Sequence, residues 1–199
     1  MSTPAPTLTL VSGARIPQIG LGTWPMDDAT AERVVPTAVE SGYRLIDTAE
    51  NYENERGVGR GLRASGVPRA ELFVTTKFNK QWHSADGARR ACEASLERLG
   101  LDYLDLLLIH WPNPDQDRYV DAFRGLVELR RDGLLRAVGT SNGCARTSRC
   151  STSRSRRRMS PGFPHWTAAT SWCSTPRHSG TEIRISSTPV TKIPHGSMR

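Results

Sequence analysis

Residues 143–199 contain no Leu, Asp, Asn, Gln or Tyr. A segment without leucine has little apolar surface to bury, and burial must offset the entropy of ordering the chain. Of its 57 residues, 19 are Ser or Thr, nine are Arg and one is Lys, against a single acid, Glu182. No helical or strand period persists there beyond a few residues. The segment is expected to be a basic Ser/Arg-rich tail without a packed core. It accounts for the net charge of +7 and the pI of 9.7, because residues 1–142 hold 17 basic and 19 acidic side chains.

Cysteine is scarce as well. Residues 1–142 have only Cys92, which excludes a disulfide scaffold and points to a reducing, cytoplasmic setting. Cys144, Cys150, Cys173, His165, His178 and His195 show no Cys-x-x-Cys or His-x₃-His spacing, so no metal site is expected. No apolar run approaches the roughly 18 residues of a membrane span. The start, Met1 to Pro6, has neither a basic cluster nor an apolar stretch, so no signal peptide is expected. Arg154-Ser155-Arg156-Arg157-Arg158, with Trp166 and Trp172, would attract polyanions non-specifically; no specific nucleic-acid partner is expected. The sequence carries no signal for oligomeric state.

What is present is periodic. Leu8–Val11 and Arg15–Pro17, joined by Ser12-Gly13-Ala14, predict a small hairpin. Beyond it, strand starts near 19, 44, 72, 104 and 136 recur at about the length of one βα unit. Asp27 or Asp28 caps the first helix, whose apolar positions are Ala31, Val34, Val35, Ala38 and Val39; Gly42 ends it. Val58 and Leu62 mark the buried side of the second helix. Ser84 caps a third that buries Ala88, Cys92, Leu96 and Leu99 and stops at Gly100. Leu104–Ile109 is apolar enough for a strand buried on both faces. A fourth helix shows Tyr119, Phe123, Leu126 and Val127, and Arg136–Thr140 predicts a fifth strand. By period alone, an open Rossmann sheet and a closed barrel both remain available.

The strand ends carry the chemistry. Arg44-Leu45-Ile46 runs into Asp47, with Tyr52 in the following loop. Leu72–Thr76 runs into Lys77, and Leu104–Ile109 into His110. In parallel α/β proteins, ligands collect at that edge of the sheet. Gly57-Val58-Gly59-Arg60-Gly61 imitates a phosphate loop, but it lacks the Gly-x-Gly-x-x-Gly spacing and lies inside a helix; close helix packing is its expected role.

Six motifs resemble the aldo-keto reductases in order and spacing: Gly20-Leu21-Gly22-Thr23-Trp24, Gly42 to Ala49, Asn51-Tyr52-Glu53-Asn54-Glu55, Thr75-Thr76-Lys77, Leu108-Ile109-His110-Trp111-Pro112 and Gly139-Thr140-Ser141-Asn142. The resemblance implies an α/β fold, a (β/α)8 TIM barrel, and NADPH-dependent reduction of a small-molecule aldehyde or ketone. It implies Tyr52 as proton donor, with Lys77 lowering its pKa, Asp47 paired with Lys77, and His110 orienting the carbonyl. Trp24 and Trp111 would join His110 in binding substrate. Gly22, Thr23, Trp24, Asp47, Ser141 and Asn142 would contact the cofactor. It also implies that the hairpin closes the barrel floor.

The resemblance stops near residue 142. The expectation is therefore a partial barrel over residues 1–142, with about five of eight βα units and two open sheet edges, followed by the tail at 143–199. The family's glutamine for the carboxamide, its aromatic stacked on the nicotinamide and its basic 2′-phosphate segment find no counterpart. A shift of reading frame near residue 143 would explain so abrupt a change, and the nucleotide sequence around that codon tests it. Two functional readings follow: a carbonyl reductase, or a catalytically inactive fragment whose basic tail binds polyanions.

Overall fold

A computed structural model describes residues 6–113 and 118–141; the expectations for Asn142 and for the tail at 143–199 lie outside the described residues. The hairpin forms from β1 (Thr7–Thr9) and β2 (Arg15–Pro17), in register Thr7↔Pro17, Leu8↔Ile16 and Thr9↔Arg15. Leu10 and Val11 fall in its turn, where Gly13 takes φ +86°. Five βα-type strands follow: β3 (Gly20–Gly22), β4 (Leu45–Asp47), β5 (Phe73–Phe78), β6 (Leu104–Ile109) and β7 (Leu135–Thr140). All neighbouring pairs are parallel, in the order β3-β4-β5-β6-β7. Each new strand adds on the same side of the last. A doubly wound sheet would reverse direction part-way, so this is the winding of a barrel wall. Among the described residues the sheet has five strands, with β3 and β7 at its edges.

The connecting helices are α1 (Asp28–Glu40), α2 (Glu55–Ala64), α3 (Ala85–Leu99) and α4 (Tyr119–Arg131). Asp27 caps α1, accepting a 2.7 Å bond from Thr30 N. Ser84 caps α3 through Gly87 N at 3.0 Å. Gly42 and Gly100 take positive φ just past α1 and at the end of α3, where a side chain would be strained. The packing face of α4 includes the expected Leu126, with Tyr119 and Phe123 packed against the same core, and is extended by small residues. Ala122, Gly125, Leu126 and Leu129 are its buried positions, while Tyr119, Phe123 and Val127 are only partly covered. Small residues sit at the contact line because a Cβ on Gly125 would stand 2.6 Å from Ala85 O.

The glycines of α2 have the same cause. A Cβ at Gly57 would lie 2.0 Å from Asp28 O, and one at Gly59 would lie 2.1 Å from Leu99 O. Gly61 faces Val35 at 2.8 Å. Helix α2 is thus wedged between α1 and the end of α3, and the phosphate-loop resemblance has no structural content.

Strand parity divides the core. Ile46, Val74, Phe78, Leu107 and Ile109 point outward and join the helices in one apolar cluster. Leu45, Phe73, Leu106 and Ala137 point inward and meet Leu8, Leu10, Ala14 and Ile16 of the hairpin. The hairpin therefore plugs the sheet at the strands' amino ends, as expected. Continuing each inward series by two residues reaches Asp47 after Leu45, Lys77 after Phe73 and Thr75, and His110 after Leu106 and Leu108. Alternation thus carries three polar side chains to the inner face at the carboxyl ends of neighbouring strands.

Candidate active site

Lys77 closes the inner series of β5, one residue before the strand ends. Its position in β5, rather than just after it, fixes its direction by the pleat. Its ammonium donates 2.8 Å bonds to Asp47 Oδ2 and to Thr48 O. Lys77 is 7% exposed, so the ion pair sits in a desolvated position. Burial pushes the Asp47 carboxyl above its usual range, and the Lys77 cation opposes that push. A salt bridge so enclosed needs further hydrogen bonds to hold, and the Thr48 carbonyl supplies one.

Tyr52 ends a 3₁₀ turn, Glu50–Tyr52, instead of lying in irregular loop. Its ring centroid lies 5.1 Å from Lys77 Nζ, 5.9 Å from the His110 ring, edge-on, and 5.3 Å from the Trp24 ring. Trp111 stacks on His110 at 5.4 Å with 22° between planes. Trp24 and Trp111 are 58% and 50% exposed, so both indoles stand at the mouth and not in the core. The four expected catalytic side chains and both tryptophans come together on one side of the sheet.

His110 is neutral at ordinary pH. Burial lowers its pKa to about 4, and the nearby Lys77 cation adds to the effect. Its Nδ1 is enclosed with no hydrogen-bond partner among the described residues. Gly22, in register with Asp47, ends β3; no heavy atom lies within 4 Å of the point where a Cβ would stand. That leaves open space beside the carboxylate. Thr23 is fully buried, and its N–H donates to Asp47 O at 3.0 Å. Ser141 N donates to Ile109 O at 2.9 Å, and its hydroxyl donates to His110 O. Asn142 lies outside the described residues.

Polar residues outside the expected catalytic set hold the Tyr52 turn in place. Glu50 receives Trp82 Nε1 at 2.7 Å and Asn79 N at 3.1 Å. Asn54 is fully buried and bonded on both ends of its amide. Glu55, 2% exposed, accepts from Thr76 Oγ1 and from Arg98 Nε, each at 2.6 Å. They carry no local signal: buried polar groups need partners, and theirs come from residues remote in sequence.

Known proteins share both the sequence pattern and the fold. Residues 18–154 match the model of the aldo/keto reductase family. An aldo-keto reductase of Mycobacterium ulcerans (strain Agy99) is 52% identical over 141 residues, covering 71% of this chain and 50% of that protein. The crystal structure of an aldo/keto reductase from Brucella melitensis superposes with a TM-score of 0.69 at 40% identity, covering 71% of this chain and 54% of the other. That of a Bombyx mori aldo-keto reductase in complex with NADP gives 0.63 at 38% identity, covering 70% and 51%. The chain spans about half the length of the curated relatives it matches. Among the described residues no helix is long and apolar enough to cross a membrane.

Proposed function

The chain belongs to the aldo/keto reductase family, and from that premise we propose that its rim cluster is a site for NADPH-dependent reduction of an aldehyde or ketone to an alcohol. The observation that carries the reading is the convergence of Tyr52, His110 and the Asp47–Lys77 pair within one mouth.

The residues present fit the nicotinamide end of such a cofactor. Space is open over Gly22, beside Asp47, and Trp24 stands exposed at the same rim. Trp24, Asp47 and Ser141 would hold that end, with Asn142 following in sequence; Thr23, fully buried and bonded to Asp47 and Asn54, fixes the loop and does not meet the cofactor. When bound, the reduced nicotinamide supplies a hydride. The protein's part is to place the carbonyl and give its oxygen a proton. Tyr52 is the proton donor. The Lys77 cation faces its ring and stabilises negative charge on the phenol oxygen once the proton has left. Asp47 keeps Lys77 charged and fixed. His110, neutral at ordinary pH with Nδ1 enclosed, has Nε2 free to donate to the carbonyl oxygen and orient it. Trp24 and Trp111 form apolar walls that exclude water from the reacting carbon.

A second reading draws on the five-stranded sheet, whose edge strands β3 and β7 have no further neighbour among the described residues. On that reading the rim persists but the nicotinamide is not enclosed, and the chain is an inactive fragment of the family whose basic tail binds polyanions. One experiment separates the two. The purified full chain is titrated with NADPH by tryptophan quenching, and NADPH consumption is then followed with a panel of aldehydes and ketones. Saturable micromolar quenching with turnover, and a loss of about 100-fold or more in Tyr52→Phe, supports the reductase. No saturable quenching selects the fragment.

A further inference from the structure

The amide of Asn54 lies two residues beyond Tyr52, at the first corner of α2, and it does not cap that helix. It is fully buried. Its Nδ2 donates to Thr23 O at 3.0 Å and to Met26 O at 2.9 Å. Its Oδ1 accepts from Thr48 Oγ1 at 2.8 Å and from Thr23 Oγ1 at 3.4 Å. A primary amide has two N–H groups and two lone pairs, so every site on this one is used. No other common side chain of that size offers two donors and two acceptors in one plane.

The partners are not arbitrary. Thr23 and Met26 belong to the loop after β3 that carries Trp24. The Thr48 carbonyl receives the Lys77 ammonium. Three segments of the mouth meet at one side chain: the Trp24 loop, the Thr48 anchor of Lys77, and the turn that ends in Tyr52. We propose that Asn54 is a positioning residue for this site, holding the Tyr52 ring and the Trp24 loop in register with the Lys77 ammonium. The proposal rests on the reductase reading, since it concerns the geometry between the proton donor and its neighbouring cation.

The test needs no turnover. The full chain is labelled with tyrosine carrying ¹³C at Cζ, and the Tyr52 resonance is assigned by its loss in Tyr52→Phe. Lys77→Met first calibrates how far that resonance moves when the cation is removed. Asn54→Ala is expected to move it in the same direction by at least half as much. Leu129→Ala, which loosens the core at α4, is expected to leave it in place. An unmoved Tyr52 resonance in folded Asn54→Ala overturns the proposal, and so does an equal displacement in Leu129→Ala. Should Asn54→Ala lose its folded circular dichroism, Thr48→Val removes the same bond from the other side and is read by the same criterion. A Tyr52 resonance that ignores Lys77→Met overturns the reductase reading itself. One that answers Lys77→Met but not Asn54→Ala overturns only the role of Asn54.

Discussion

At the scale of single residues, the least expected group is Asp105. It sits near the amino end of β6, far along the strand from the mouth, and is fully buried. Arg69 meets one of its oxygens at 2.7 Å and Arg136 the other at 2.9 Å, while Val74 N donates to it at 2.9 Å. The two guanidinium groups also lie 4.1 and 4.5 Å from the Tyr103 ring centroid. An aspartate in an apolar strand reads as an anomaly until its partners are known, and those come from positions 69, 74 and 136. Removing it strands two cations and a backbone donor, but Arg136 is half-exposed and regains water. Asp105→Ala is therefore expected to cost about 3 kcal/mol, the low end for a broken buried pair, measured by urea unfolding. The catalytic candidates were legible because Asp47, Lys77 and His110 stand at strand ends and Tyr52 follows one of them, all within recognisable motifs. Asp105, Asn54 and Glu55 were not, because a polar residue's burial depends on neighbours remote in sequence.

At the scale of elements, α2 shows how packing overrides propensity. Three glycines in ten helical residues weaken a helix, each by roughly 1 kcal/mol relative to alanine. An isolated helix would gain from Gly59→Ala. Here the new Cβ would stand 2.1 Å from the Leu99 carbonyl oxygen, a backbone atom that cannot rotate away. The clash outweighs the propensity gain, and Gly59→Ala is expected to destabilise by about 1–3 kcal/mol. An unfolding midpoint equal to or above that of the parent would show that α2 can move away from α3. Helix α4 makes the same point from the other side. Its large residues marked an apolar face, but the tight approach to α3 selected Ala122 and Gly125 for the contact. Hydrophobicity shows where a helix is apolar; only the distance to its neighbour shows which residues fit.

At the scale of the whole molecule, ionisable groups set the pH range of stability. His110 has its pKa lowered to about 4 by burial and then by Lys77. His83, 2% exposed with neither ring nitrogen bonded among the described residues, is lowered in the same direction by burial and then by Arg118. Both take up a proton less readily when folded than an unfolded histidine, which titrates near 6.5. Below that pH the unfolded chain takes up protons that the folded chain refuses, so stability falls from about 6.5 towards about 4. Asp47, raised by burial, acts oppositely: the folded chain protonates it first, which returns some stability near the lower end. On the alkaline side, burial pushes the Cys92 thiol up to about 12 from 9.0, so stability falls as unfolded thiol ionises above 9. Thermal melts of the full chain are expected to peak between about 6.5 and 9. Replacing His83 with Phe is expected to flatten the acidic limb, and an unchanged limb would locate the proton uptake elsewhere.

The amino-acid sequence by itself determined the spacing of the βα units, the helix caps, and which residues close each strand. These are local matters, decided by alternation, by turn residues and by groups adjacent in the chain. It also determined the family, through motifs dense enough to be read one by one. Its period alone did not decide between a barrel wall and a doubly wound sheet, because both are built from the same unit; the family motifs implied the barrel. The tertiary structure shows the barrel winding directly, by adding every strand on one side and every helix on one face. Only the structure found the amide and the carboxylates that hold the tyrosine turn, because a buried hydrogen bond is made by groups that meet in space after thirty or more intervening residues have folded.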